Sequence, residues 1–300
     1  MKLRGAPVEC FWRKASSWRK LSLLRSLGKL NTAIAQKYLK EMRLFQNEDG
    51  GFGKERGEPS SVTPTAEAIL NLIESGEKPS SSTVQRATLF LWGLQNENGG
   101  WRENPALPKE KVAFWSSTER GVPILTADSI EALLKAGYED DERLRKAVEW
   151  LKGMQAQDGM WIHMEKAAPT ETDPDSTLRA IEVLIKVGEN LDSPTIRKAC
   201  NALERFILTE AEKWTKKWPV WSWLAPLDGL VAAGFKADNK TVQRALEKIL
   251  KQQREDGGWP DGYEVRVVPT LIELGIIPRE EAWGIIRKME SSTKFASQKD

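Results

Sequence analysis

One seven-residue pattern returns four times in this chain: Gln, two residues, Asp or Asn, Gly, one residue, then Trp or Phe. The copies are Gln46, Asp49, Gly50 and Phe52; Gln95, Asn98, Gly99 and Trp101; Gln155, Asp158, Gly159 and Trp161; and Gln253, Asp256, Gly257 and Trp259. The steps between the glutamines are 49, 60 and 98 residues. The last step is two units long, so one copy has decayed between Cys200 and Trp218. Repetition at about 50 residues points to a chain built from one supersecondary unit whose copies bury a shared core.

A second marker sets the register. Gly28, Gly76, Gly137 and Gly234 each stand about 18 to 20 residues before a Gln, Gly188 takes the same place before the decayed copy, and Gly275 closes a sixth stretch. A glycine after the last apolar position is a helix stop. Each unit therefore reads as helix, glycine turn, helix, Gln-to-Trp turn. First helices are expected near 14–27, 63–75, 124–136, 175–187, 221–233 and 267–274. Second helices are expected near 30–45, 81–94, 141–154, 194–208, 239–252 and 279–290. Ala66, Ile69, Leu70 and Ile73 show the helical spacing, as do Leu144, Val148 and Leu151. Thr63-Pro64, Asp173-Pro174 and Ser193-Pro194 place a capping side chain before a proline suited to the first turn. The first helices are the less charged set, as an inner ring would be. The decayed copy is expected near Leu208 to Trp214, and regular strand alternation is hard to find.

Composition removes several functions. Lys plus Arg number 45 against 43 Asp plus Glu, mixed along the chain, so no phosphate-binding face for nucleic acid is expected. Two isolated cysteines, Cys10 and Cys200, make no disulfide framework. No signal peptide or membrane-spanning run is read, so a cytoplasmic setting is expected. Peripheral membrane contact stays open, because Phe11–Leu30 is amphipathic and contains Trp12 and Trp18; the same stretch fits the first inner helix.

The Gln-to-Trp turn resembles the repeat of squalene–hopene and oxidosqualene cyclases, and related turns occur in protein prenyltransferase β-subunits. The resemblance covers about residues 14–290. It implies an all-α fold, an α6/α6 barrel (α/α toroid) of six helical hairpins, with an active site in a central cavity near one mouth. On this reading residues 1–300 are a single domain, with 1–13 an N-terminal extension and 291–300 a disordered tail. The turn residues themselves read as structural: the Gln bonds helix-end backbone, Asp-Gly makes a tight turn and the Trp packs against its neighbour.

Within that family, the segment Asp173-Pro174-Asp175-Ser176-Thr177 is similar to the DxDD-Thr-Ala motif of class II terpene cyclases, with Ser176 in place of the last Asp. The resemblance makes Asp175 the acid that protonates a C=C bond or epoxide, and Asp173 its partner. Such chemistry needs a strong acid facing an apolar space, with aromatic faces to stabilise a cation. Trp115, Trp218, Trp221 and Trp223 are candidates to line it, as is Trp18; filling the barrel is the other reading. Thr126 and Thr177, with Thr65, form a column 11 residues before their glycines, either capping helices or facing the cavity. Asp128 and Glu67 follow two residues later, nine before their glycines, as further site candidates. His163 precedes the Asp pair and could tune Asp175, or lie on the surface. Asp173 also reads as a helix N-cap, with Asp175 in the first turn.

The implied function is a class II cyclase-like isomerase acting on a hydrophobic linear isoprenoid, with no cofactor and no metal. The alternatives are a non-catalytic barrel that binds an isoprenoid or a protein, and a prenyltransferase-like transferase. The zinc ligands of the last are missing, because Cys200 has no Asp two residues before it and His163 lies upstream of it. Carbohydrate processing, which other α6/α6 barrels perform, ranks last. Oligomeric state is not legible.

Overall fold

The computed structural model describes residues 3–168 and 171–296. Pro169 and Thr170, at the head of the Asp-rich segment, and tail residues 297–300 lie outside the described residues. In chain order the helices are α1 Pro7–Lys14, α2 Ser17–Ser26, α3 Ala33–Arg43, α4 Val62–Glu74, α5 Ser82–Trp92, α6 Pro123–Lys135 and α7 Glu142–Gly153. They continue as α8 Pro174–Lys186, α9 Pro194–Arg205, α10 Ala211–Trp214, α11 Trp221–Ala232, α12 Lys240–Lys251, α13 Glu264–Glu273 and α14 Arg279–Ala296. A two-stranded antiparallel pair, β1 Trp161–Ile162 and β2 Thr172–Asp173, precedes α8. The chain divides into a middle unit, Leu39–Leu203, and a terminal unit that joins Met1–Tyr38 to Glu204–Asp300.

In the middle unit the first helices α4, α6 and α8 pack side by side, with α5 on α4 and α7 on α6 and α8. The repeat turns weld each hairpin to the next. In the third turn, Gln155 Nε2 donates to Gly159 O at 2.9 Å within its own turn and to Thr195 O at 2.9 Å in the following outer helix. Gln46 and Gln95 make the same two bonds, to Gly50 and Thr83 and to Gly99 and Arg143. The aromatic then drops into the core: Phe52, Trp101 and Trp161 are fully buried. Trp101 and Trp161 each donate their indole N–H to the carbonyl ten residues upstream, Leu91 O and Leu151 O, at 2.6 Å.

The Thr column closes the unit. The backbone N–H groups of Phe52, Trp101 and Trp161 donate to the hydroxyls of Thr65, Thr126 and Thr177 at 2.8, 2.8 and 3.0 Å. Thr65 and Thr177 pass their own protons to the carbonyls four residues back, Ser61 O and Asp173 O. Thr is suited to this because its hydroxyl both accepts and donates. Each such bond adds about 1 kcal/mol net, but an orphaned buried N–H costs about 1–3 kcal/mol.

The terminal unit uses the same device with different residues. Trp259 is buried, donates its indole to Ile249 O at 2.9 Å, and has its backbone N–H accepted by Glu264 Oε2 at 3.1 Å in place of a Thr. The partner of this turn is the chain's own start: Arg4 N donates to Gln253 Oε1 at 2.8 Å, and Gly257 lies against Ala6 and Pro7. The stretch expected as an extension thus contains α1, which seals the last turn. Glu290 of α14 accepts hydrogen bonds from Trp12 of α1 and from Lys37 and Tyr38 of α3, tying the chain's beginning to its last helix. At the decayed copy the helix does not stop. It runs from α9 through a π-helical stretch, Phe206–Glu210, into α10.

The two kinds of glycine differ. Gly137 (φ 89°) ends α6, where Tyr138 N bonds Leu133 O at 3.1 Å, and a Cβ there would meet nothing within 4 Å. Gly159 (φ 103°) packs directly on the next helix, and its Cβ would stand 2.5 Å from Lys198 O. Gly137→Ala should therefore cost only the left-handed strain, about 1–2 kcal/mol. Gly159→Ala adds a backbone clash and should cost at least ~3 kcal/mol. Thr177→Val should cost about 1–3 kcal/mol and Thr177→Ser much less. Urea melts of the four variants check the order.

Candidate active site

The Asp-rich segment enters α8 through the β1–β2 pair, in which Asp173 stands opposite Trp161. The third repeat turn thereby fixes where the helix begins. Asp173 has extended backbone (φ −142°, ψ 150°) and is the N-cap, its Oδ1 accepting from Ser176 N at 2.9 Å; Pro174 follows at the first helical position. Its other oxygen, Oδ2, is sealed from solvent and has no hydrogen-bond partner among the described residues. Burial pushes the Asp173 carboxyl above the ordinary aspartate value of 3.8, the hydrogen bonds of Ser176 pull it down, and the charge of Asp175 adds to the rise. Burial outweighs the cap. Asp175 sits in the first turn and is partly exposed.

The other expected site residues scatter in role. Thr126 and Thr177 are fully buried, and their hydroxyls hold the turns described above. The His163 ring lies 3.0 Å from Glu171 O, a backbone partner rather than the Asp pair. Trp115 is partly exposed in the long segment between Trp101 and α6, next to the protruding Phe114. Trp218, Trp221 and Trp223 belong to the terminal unit. Trp223 is fully buried and donates to Thr215 Oγ1 at 2.9 Å, whereas Trp218 is more exposed and stacks edge-on with Trp221 at 6.4 Å.

Asp128 leads to residues that the sequence reading passed over. Its Oδ2 accepts from Thr63 Oγ1 at 2.7 Å and its Oδ1 from Arg179 Nε at 2.9 Å. Arg179 also bonds Glu131 at 2.9 Å and pairs with Glu182, and Lys186 pairs with Glu131. Burial disfavours the charge on Glu131, but Arg179 and Lys186 together overcome it and hold the carboxyl down at about 2. Burial likewise opposes the Arg179 charge, and the three carboxylates more than compensate, raising its pKa well above the ordinary guanidinium value. The signal was in the sequence: 128, 131 and 135 in α6 repeat as 179, 182 and 186 in α8, one 51-residue unit apart. Glu103 was also unforeseen. It is buried and accepts from Val62 N at 3.1 Å and Ser61 Oγ at 2.9 Å, capping α4. Among the described residues, no group of three or more His, Cys, Asp or Glu side chains is arranged to hold a metal ion, and no helix is long and apolar enough to cross a membrane.

Glu131 gives a pH prediction. A carboxyl depressed from 4.5 to about 2 contributes stability that is complete above its unfolded value and lost as pH falls through about 2. The wild type should lose on the order of 3 kcal/mol from this group across that window, and Glu131→Gln should flatten that part of the profile. Urea melts from about pH 6 to about pH 2 check it.

Comparison with known proteins bears on the family and the fold. The family model of the squalene–hopene cyclase C-terminal domain matches residues 17–171, and that of the prenyltransferase alpha-alpha toroid domain matches residues 124–262. Lanosterol synthase of Saccharomyces cerevisiae is 30% identical over 95 residues, covering 32% of this chain and 12% of that protein. Squalene–hopene cyclase of Bradyrhizobium diazoefficiens is 25% identical over 147 residues, covering 48% of this chain and 22% of that protein. This chain thus spans less than a quarter of the length of either relative. The type II terpene cyclase MstE from Scytonema superposes with a TM-score of 0.57 at 19% identity, over 81% of this chain and 71% of that one. One solved form of that cyclase holds geranylgeranyl dihydroxybenzoate as substrate. The fold is the α/α toroid of the terpene cyclase and prenyltransferase superfamily, and the chain belongs to the squalene–hopene cyclase C-terminal domain family.

Proposed function

We propose that this chain is a class II terpene cyclase-like isomerase that starts a proton-initiated cyclisation of a linear isoprenoid from the carboxyl pair at the head of α8. The observation that carries the reading is the sealed, unpartnered Oδ2 of Asp173 beside Asp175. Burial first, and then the nearby Asp175 charge, make Asp173 bind its proton more tightly than a free aspartate does. Asp173 is anchored as the cap. Asp175 lies on the partly exposed face of α8 and delivers the proton. The alkene takes the proton, the pair is left as carboxylate, and a carbocation forms at the more substituted carbon. An internal double bond closes the ring, and loss of a proton returns the acid, so the net change is isomerisation. Isoprenoid ligands of solved relatives support the substrate class.

The second reading, a non-catalytic barrel, has one observation in its favour. The Asp128–Arg179–Glu131 cluster places charge where a long apolar chain would need aromatic walls.

The test is a product assay by gas chromatography–mass spectrometry on linear isoprenoids of increasing length, from geraniol to squalene and oxidosqualene. The wild type should form a cyclic isomer. Asp175→Asn should lower turnover by about 10²–10⁴-fold with an unchanged melting curve. Asp173→Asn keeps the cap acceptor and should also lose turnover. Full activity in Asp175→Asn removes the assignment.

A further inference from the structure

Counting back from the closing glycines aligns α4, α6 and α8 turn by turn. Thr63, Ile124 and Asp175 share the first layer; Glu67, Asp128 and Arg179 the second; Leu70, Glu131 and Glu182 the third; Glu74, Lys135 and Lys186 the fourth. Ten of these twelve residues carry some exposure, Leu70 and Asp128 being the buried two. These layers therefore form one continuous face of the middle unit. Its character changes abruptly. The first layer offers a hydroxyl, an apolar side chain and a carboxyl. From the second layer on, ion pairs dominate the face: Arg179 pairs with Asp128 and Glu131 across helices and with Glu182 on its own helix, Lys186 pairs with Glu131, and Lys135 with Glu74 at 3.4 Å, while the Thr63 hydroxyl donates a hydrogen bond to Asp128.

Such a cluster resists an apolar intruder. A hydrocarbon laid over it would strip water from charges already half-desolvated, while Arg179 is held in place by three carboxylates. Opening the cluster by moving one member would strand its partners. Around Arg179 three carboxylates face two cations, which leaves one net negative charge and disfavours a diphosphate there. Arg179 lies four residues below Asp175, a depth of roughly 6 Å along the helix.

We infer that the ion-pair layer centred on Arg179 is the floor of the ligand site, and that it restricts the substrate to a short, uncharged isoprenoid whose reacting end meets Asp175. The inference rests on the isoprenoid reading above. The floor lies one turn under the acid, with room along the face for little more than a single isoprene unit. The remainder of the chain lies toward the first layer and the loops before it. Arg179 is on this account a specificity-determining residue, not an acid or base.

The experiment is a calorimetric titration of the full chain with geraniol, farnesol, geranylgeraniol and squalene in dilute detergent, alongside geranyl diphosphate. Greasier ligands bind more tightly to any unspecific apolar surface, so the floor predicts the opposite order: geraniol tightest, and geranylgeraniol weaker by at least about tenfold. Geranyl diphosphate should bind more weakly than geraniol. The triple substitution Asp128→Leu, Glu131→Leu, Arg179→Met removes the three central members and leaves Glu182 and Lys186, four residues apart on α8, to pair with each other; it should restore geranylgeraniol binding to within about twofold of geraniol. If that variant fails to fold, the wild-type order alone decides. Longer chains binding as tightly as geraniol would overturn the floor and leave the isoprenoid reading intact. Binding of none of the five would overturn both. The predicted order without any conversion would keep the floor and remove the acid assignment.

Discussion

The backbone N–H of each turn aromatic must be satisfied in the core, and the residue that satisfies it sets where the following inner helix begins. Phe52, Trp101 and Trp161 are met by Thr65, Thr126 and Thr177, and Trp259 by Glu264. Everything else in the repeat depends on this bond. It positions the aromatic so that its indole reaches the preceding helix, and it brings the Gln into reach of the next outer helix. It also places the first turn of the inner helix beside the turn. A barrel of short hairpins has little local stability in any one of them, and neighbour-to-neighbour bonds of this kind make the array cooperative.

The same constraint builds the site. Because Thr177 holds Trp161, the two residues of β2 lie against β1, and Asp173 is carried to the point where it both caps α8 and loses solvent on one oxygen. The helix terminus favours a charged Asp173; burial and Asp175 oppose it, and burial is the largest of these effects. One side chain can therefore serve as a helix cap and still bind its proton more tightly than a free aspartate. Further along α8 the balance reverses. Glu131 and Arg179 are also desolvated, but each has close partners of opposite charge, so both stay ionised. A buried carboxyl pushed upward by desolvation, above a fixed ionic layer, is how this face differs from a uniformly apolar one.

Much of this was legible in the residues. The glycines that end the helices and the Gln-to-Trp turns were readable because both answer to local geometry: a left-handed residue after the last apolar position, and a glycine where two backbones touch. Asp173-Pro174 announced its cap for the same reason. The Thr column could be placed but not assigned, since a hydroxyl serves a cap or a ligand equally well until its neighbours are known. α1 was missed because the partner that gives it meaning, the turn at Gln253, is some 250 residues away in sequence. A decayed turn was expected near Leu208 to Trp214, where the helix instead continues through the π-helical run Phe206–Glu210 into α10, and no residue pattern distinguishes a lost turn from a continued helix. The ionic layer was visible as a recurring charge spacing in α6 and α8. Only packing of α4, α6 and α8 showed that those charges meet across helices instead of facing solvent.

The claim on which the functional account turns is that Asp173, at the head of α8, binds its proton more tightly than a free aspartate does. The direct measurement is a carbon-13 NMR titration of the aspartate carboxyl carbons, with Asp173 assigned by its loss in Asp173→Asn. The account predicts a midpoint for Asp173 above the ordinary 3.8, falling back toward that value when Asp175 is replaced by Asn and its charge removed. A midpoint at or below 3.8 would show that the helix terminus, not burial, governs this residue, and would contradict the acid assigned to the site.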